Sequence, residues 1–134
     1  MMPLKLSKPK ILVVEDQPDV LATMRYLLKR AGCETTGART GADALCRARD
    51  EKFDLITLDM ELPDTTGLDL CRQMKQDPQL RRVPVVFVSG CLREGNRQRC
   101  LELGAADYIA KPFDALVFVA RIFAHLRNDR GGER

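Results

Sequence analysis

Short apolar runs alternate with segments of helical spacing from one end of the chain to the other, and this alternation limits the fold more than any other feature. Ile11-Leu12-Val13-Val14 is rich in β-branched residues and closes at Glu15-Asp16, which reads as a strand buried on both faces of a parallel sheet. Asp16-Gln17-Pro18-Asp19 then supplies a capping candidate, a first-turn proline and an acid near the positive helix end. Leu21, Met24, Leu27 and Leu28 follow at helical spacing, until Gly32 offers a stop. A weaker strand over 33–38 precedes a helix that Thr40 can cap. Leu55-Ile56-Thr57-Leu58 closes at Asp59, and Pro63, Asp64 and Gly67 form a turn before a helix to about Gln76. Residues 83–88 read as the fourth strand, with Pro84 at its start because proline cannot donate to a ladder. A helix over 94–103 stops at Gly104, Tyr108-Ile109-Ala110 is a fifth strand, and 113–126 is the last helix. Five strand–helix units with short links predict an α/β sandwich of three layers: a flavodoxin-like (βα)5 fold whose five-stranded parallel sheet runs in the order 2-1-3-4-5.

A chain of 134 residues has room for one domain, read here as 10–126 between a tail at 1–9 and a tail or linker start at 127–134. No apolar run approaches the roughly 20 residues that cross a bilayer, and a net charge of +3, spread evenly, gives no footprint for nucleic acid. The five cysteines, Cys33, Cys46, Cys71, Cys91 and Cys100, are odd in number and form no CxxC pair, which speaks against a disulfide framework or a zinc site. Cys46 and Cys71 fall in helical apolar patterns and read as small buried hydrophobes. A reduced, cytoplasmic protein is the expectation.

The chemistry lies where the strands end. Glu15-Asp16, Asp59, Ser89 and Lys111 all sit at C-terminal strand ends, which share one edge of an open parallel sheet, the edge where such folds bind ligands. Clustered carboxylates repel and are costly without a cation. Oxygen ligands in small number suit Mg²⁺, which keeps several waters. A carboxylate can attack phosphorus to give an aspartyl phosphate, while a metal, a lysine and a hydroxyl spread the charge of the transferring group.

Four stretches, Ile11–Asp16, Leu58–Gly67, Val86–Gly90 and Gly104–Phe113, together resemble the CheY-like receiver domains of two-component signalling, over nearly the whole chain. The resemblance implies a response-regulator receiver that accepts a phosphoryl group on Asp59. It implies that Asp16 and Asp59 ligate Mg²⁺, with Glu15 holding a metal water or the ion and the Glu61 backbone carbonyl completing the protein's share. It makes Lys111 the partner of the phosphoryl group, ahead of a cis Pro112. Ser89 becomes the hydroxyl that draws its loop inward, and Tyr108 the aromatic that follows. Glu61 and Cys91, two positions beyond Asp59 and Ser89, line the approach and are expected to tune dephosphorylation. Glu15 stands where aspartate is commonest and Gly90 where alanine is usual. The implied partner is a sensor histidine kinase or a histidine phosphotransfer protein.

Two other readings use the same residues: a receiver-like binding module that is not phosphorylated, and a haloacid-dehalogenase-type enzyme. For the second, Glu61 has the right spacing from the nucleophile, but Asp59 lies on the third strand and no cap domain is present. The last helix is more apolar than one buried face needs. At roughly 100° per residue, Asp114, Arg121 and His125 form its polar stripe, and Val117 with Ala120, Ala124 or Phe123 is surplus. That surplus predicts a dimer or target face. His125 reads as a surface residue without a catalytic part.

Overall fold

The computed structural model describes residues 8–90 and 93–132, with the side chains of 127–132 outside the description. Its elements run β1 (Lys10–Val14), α1 (Pro18–Arg30), β2 (Glu34–Ala38), α2 (Gly41–Asp50), β3 (Leu55–Leu58), α3 (Gly67–Gln76), β4 (Val85–Ser89), α4 (Asn96–Glu102), β5 (Asp107–Ala110) and α5 (Ala115–Gly132). The strands form one parallel sheet in the order β2-β1-β3-β4-β5, as the alternation predicts.

Because side chains alternate along a strand, the central strands feed two separate cores. Leu12, Val14, Ile56, Leu58, Val85 and Phe87 pack with Ala44 and Ala48 of α2, Leu70 and Met74 of α3, and Cys100 of α4. Ile11, Val13, Leu55, Val86, Val88 and Ile109 pack on the other face with Met24 and Leu28 of α1 and Phe118, Ile122 and Leu126 of α5. Both faces of the sheet are thereby covered, which leaves its ends as the natural place for polar groups.

Several boundaries differ from the sequence reading. Gln17 rather than an acid occupies the N-cap of α1, and its side chain makes no cap; the Glu15 carboxylate accepts the Gln17 N–H instead, at 3.1 Å. The fourth strand starts at Val85, after Pro84, whose carbonyl still accepts the Ile56 N–H. Gly95, at a φ of 87°, opens α4, and Gly104, at 101°, follows its end, both left-handed positions that favour glycine. Asp114 caps α5, its Oδ1 accepting from the N–H groups of Leu116 and Val117, so it is no part of a helix stripe. α5 then runs past Leu126 to Gly132, since nothing in Arg127-Asn128-Asp129-Arg130 breaks a helix before the glycine pair. Cys46 is exposed rather than buried, because the apolar side of α2 is carried by Ala44 and Ala48.

Candidate functional site

Four of the five strands, all but β2, deliver polar residues to the same edge. β1 leads into Glu15, buried to 1% exposure, and half-exposed Asp16. β3 hands on to Asp59, also buried, and β4 ends in buried Ser89. Lys111 follows β5, held by its backbone N–H donating to the Ser89 carbonyl at 2.9 Å, and the Lys111-Pro112 peptide is cis. Asp16, Gln17, Asp59, Glu61, Ser89, Gly90 and Lys111 line a cleft of about 310 Å³.

Carboxylate oxygens of Glu15, Asp16 and Asp59 lie within 4.8 Å of one another. The Lys111 Nζ bridges two of them, at 2.5 Å from Glu15 Oε1 and 3.0 Å from Asp59 Oδ2. Burial pushes the Glu15 carboxyl above its ordinary range, against the pull of Lys111 and the Gln17 N–H, and the Asp59 charge adds to the rise. Burial works to lower Lys111, but its bonds to the two acids outweigh that and keep it firmly protonated. One ammonium among three carboxylates leaves a net negative cleft. Hard oxygen donors, excess negative charge and an open mouth suit a small divalent cation that retains water.

The other residues predicted for the site fall beside it or beyond it. Glu61 is exposed at the cleft rim, and its backbone N–H faces Asp59 Oδ1 at 3.4 Å. Tyr108 is buried, its ring stacked on Phe87 with centroids 6.4 Å apart. Cys91 lies outside the described residues. Burial pushes the Cys33 and Cys71 thiols up and Cys100 up to about 11, the direction of structural rather than activated cysteines.

His125 is not a free surface residue. Its Nε2 lies 3.0 Å from Asp107 Oδ2, and its side chain is only 22% exposed. Arg121 forks onto the same carboxylate through Nε at 2.9 Å and through Nη2, and Arg97 of α4 approaches at 4.0 Å. Arg97 and Arg121 also donate to the Tyr108 carbonyl, at 3.1 and 3.3 Å. The sequence reading missed Asp107 as an organising residue. Its one signal was an acid placed just before a short strand.

A family model described as the response regulator receiver domain matches residues 11–123. Among curated relatives, the phosphate regulon transcriptional regulatory protein PhoB of Rhizobium meliloti is 38% identical over 119 residues, 89% of this chain and 52% of that protein. The polar-differentiation response regulator DivK of Brucella anthropi is 34% identical over 116 residues, 87% of this chain and 94% of that one. This chain thus spans about half the length of PhoB, and 48% of the similar PhoP of Bacillus subtilis. Among solved structures, a CheY-like receiver domain protein of Methanospirillum hungatei aligns with a TM-score of 0.88 at 26% identity, covering 94% of this chain and 99% of that one. The receiver domain of HemR from Leptospira biflexa aligns at 0.81 with 33% identity, covering 89% and 94%.

Proposed function

The chain belongs to the response regulator receiver family, and from that premise we propose that Asp59 is the phosphoacceptor of a Mg²⁺-dependent switch. The observation that carries the proposal is the grouping of Asp59 with Glu15, Asp16 and Lys111 in one net negative cleft. Asp16 and Asp59 are assigned as direct Mg²⁺ ligands. Glu15 and the Glu61 carbonyl complete the set, and the bound ion supplies positive charge against the phosphoryl oxygens.

The Asp59 carboxylate attacks phosphorus in line with the leaving group. A new P–O bond forms on Asp59 as the P–N bond of a phosphohistidine breaks, its electron pair staying on the departing imidazole. Lys111, already 3.0 Å from Asp59, moves its ammonium onto the phosphoryl oxygens. The Ser89 hydroxyl donates to another of them and draws the loop after β4 inward. Tyr108, on the neighbouring strand, follows that loop. Glu61 and Cys91 set water access and so the lifetime of the phosphoryl group. In this reading the protein is a switch that assists its own phosphorylation and dephosphorylation, rather than an enzyme.

Receiver domains work with histidine kinases or phosphotransfer proteins, and a protein of that kind is the phosphoryl source assigned here. Exposed Leu116, at 83%, and Val117, at 49%, with Ala120 and Ala124, support α5 as a face for a second copy or a target. The receiver is assigned to 10–126, without direct nucleic acid binding and in the cytoplasm. No helix among the described residues is long and apolar enough to cross a membrane.

Intact mass after incubation with Mg²⁺ and acetyl phosphate tests the proposal. One phosphoryl adduct is expected, absent without Mg²⁺ and absent from Asp59→Asn. A folded native protein that takes up no adduct would favour the unphosphorylated binding module.

A further inference from the structure

The corner between β2 and α2 contributes no acid to the cleft, yet it is tied through hydrogen bonds to both loops that carry them. On one side the Arg39 Nε donates to the backbone carbonyl of Asp16 at 3.0 Å. On the other, the first two N–H groups of α2, from Gly41 and Ala42, donate to Asp64 Oδ1 and Oδ2 at 2.8 and 3.0 Å. The corner has its own anchor, since Thr40 Oγ1 accepts the Asp43 N–H at 3.0 Å.

Asp64 is a handle on the loop after β3, and that loop is closed on itself. Leu62 N–H donates to the Thr65 carbonyl at 3.1 Å, Gly67 N–H donates to the Met60 carbonyl at 2.7 Å, and Glu61 bridges Thr66. Gly67 packs so tightly that a Cβ would lie 2.1 Å from the Asp59 carbonyl. A pull on Asp64 is therefore passed to Asp59 and Glu61 with little give. The fit at the other end is equally close: a Cβ on Gly41 would meet Thr65 Cγ2 at 2.4 Å. The N–H groups of Gly41 and Ala42 hold the Asp64 carboxyl below its ordinary range, as bonds to the charged form should.

We infer that Arg39 and Asp64 are positioning residues for the metal site, fixing the loop of Asp16 and the loop of Asp59 and Glu61 at one spacing through the β2–α2 corner. The inference rests on the reading of Asp16 and Asp59 as Mg²⁺ ligands. Residues that orient ligands from outside commonly shift metal affinity by about 10- to 100-fold.

The test is calorimetric titration of Mg²⁺ alone into the whole chain. Asp64→Ala is expected to bind about tenfold more weakly, and Arg39→Ala several-fold more weakly. Thr40→Ala removes the α2 cap but neither tie, so it should stay within about twofold of the native protein. Gly41→Ala should weaken binding as well, and adding Thr65→Ser, which deletes the obstructing Cγ2, should restore it. Thr40→Ala, which costs stability but spares both ties, separates positioning from general loss of stability. Native protein that binds no Mg²⁺ overturns the metal reading and this inference together. Native binding with Asp64→Ala and Arg39→Ala unchanged, or with Thr40→Ala equally impaired, overturns this inference alone.

Discussion

β5 has a charged cluster at each end, and the two are balanced in opposite ways. At its start, the Asp107 carboxylate receives Arg121, His125 and its neighbour's Tyr108 N–H, with Arg97 close by. Just past its end, Lys111 is shared between Glu15 and Asp59 while Asp16 stands near. The first cluster satisfies its acid in full and binds α5, with α4 alongside, to the sheet. The second leaves negative charge unanswered in a buried place, a costly arrangement unless a cation or a reacting group completes it. A saturated cluster holds the structure together; an unsaturated one stores capacity for chemistry.

Neutralising one acid in each cluster should therefore have opposite effects. Asp107→Asn is expected to lose about 2–3 kcal/mol, since it weakens charge-assisted hydrogen bonds to a group with little solvent access. Urea unfolding measures this. The loss should depend on pH with a defined sign. Burial works to raise the Asp107 carboxyl, but Arg121, His125 and the Tyr108 N–H prevail and hold it below the ordinary range. A carboxyl lowered by folding contributes stability that is complete above its unfolded value and drains away as pH falls through the folded one. The deficit of Asp107→Asn should be full at neutral pH and shrink below about pH 4. A deficit that is flat from neutral pH to pH 3 would mean that shape, not charge, makes the cluster.

In the other cluster, Mg²⁺ at about ten times its Kd should stabilise the native protein by about 1.4 kcal/mol. Without metal, Asp59→Asn should be more stable than the native chain by about 1 kcal/mol, because one of the mutually repelling acids is gone while Lys111 keeps Glu15. The same variant should lose most of the Mg²⁺ effect. Thermal unfolding with Mg²⁺ and with EDTA reads both. Destabilisation by Asp59→Asn in EDTA would show that Lys111 already balances the cluster, and the contrast between the two ends of β5 would fail.

The two clusters were not equally legible. Glu15, Asp59, Ser89 and Lys111 could be placed at one edge because each closes a continuous apolar run, and buried parallel strands produce such runs. The Asp107 cluster gives no such signal. Its partners lie 14 and 18 positions downstream on α5, and helical periodicity shows that Arg121 and His125 share a face without showing what that face meets. For the same reason they read as a solvated stripe. Arg39 and Asp64 were hidden differently: both act through backbone groups of another loop, and the spacing of side chains carries no trace of that. The end of α5 was misjudged at Leu126 because the apolar pattern stops there while the helix does not.

Thr57 offers the smallest effect and a test of how far the polar edge reaches. It lies two residues before Asp59 on the central strand, fully buried, and pairs in register with Val13 and Val86. Its Oγ1 has no hydrogen-bond partner among the described residues. A buried hydroxyl without a partner carries a desolvation cost that an apolar group of the same shape does not. Thr57→Val should therefore raise stability by about 0.5–1 kcal/mol in urea and leave Mg²⁺ affinity unchanged. If it lowers stability instead, the hydroxyl is engaged, with an ordered internal water the natural partner. The polar character of the site would then extend beneath Asp59 into the sheet, and the unsaturated cluster would have a hydrated floor rather than an apolar one.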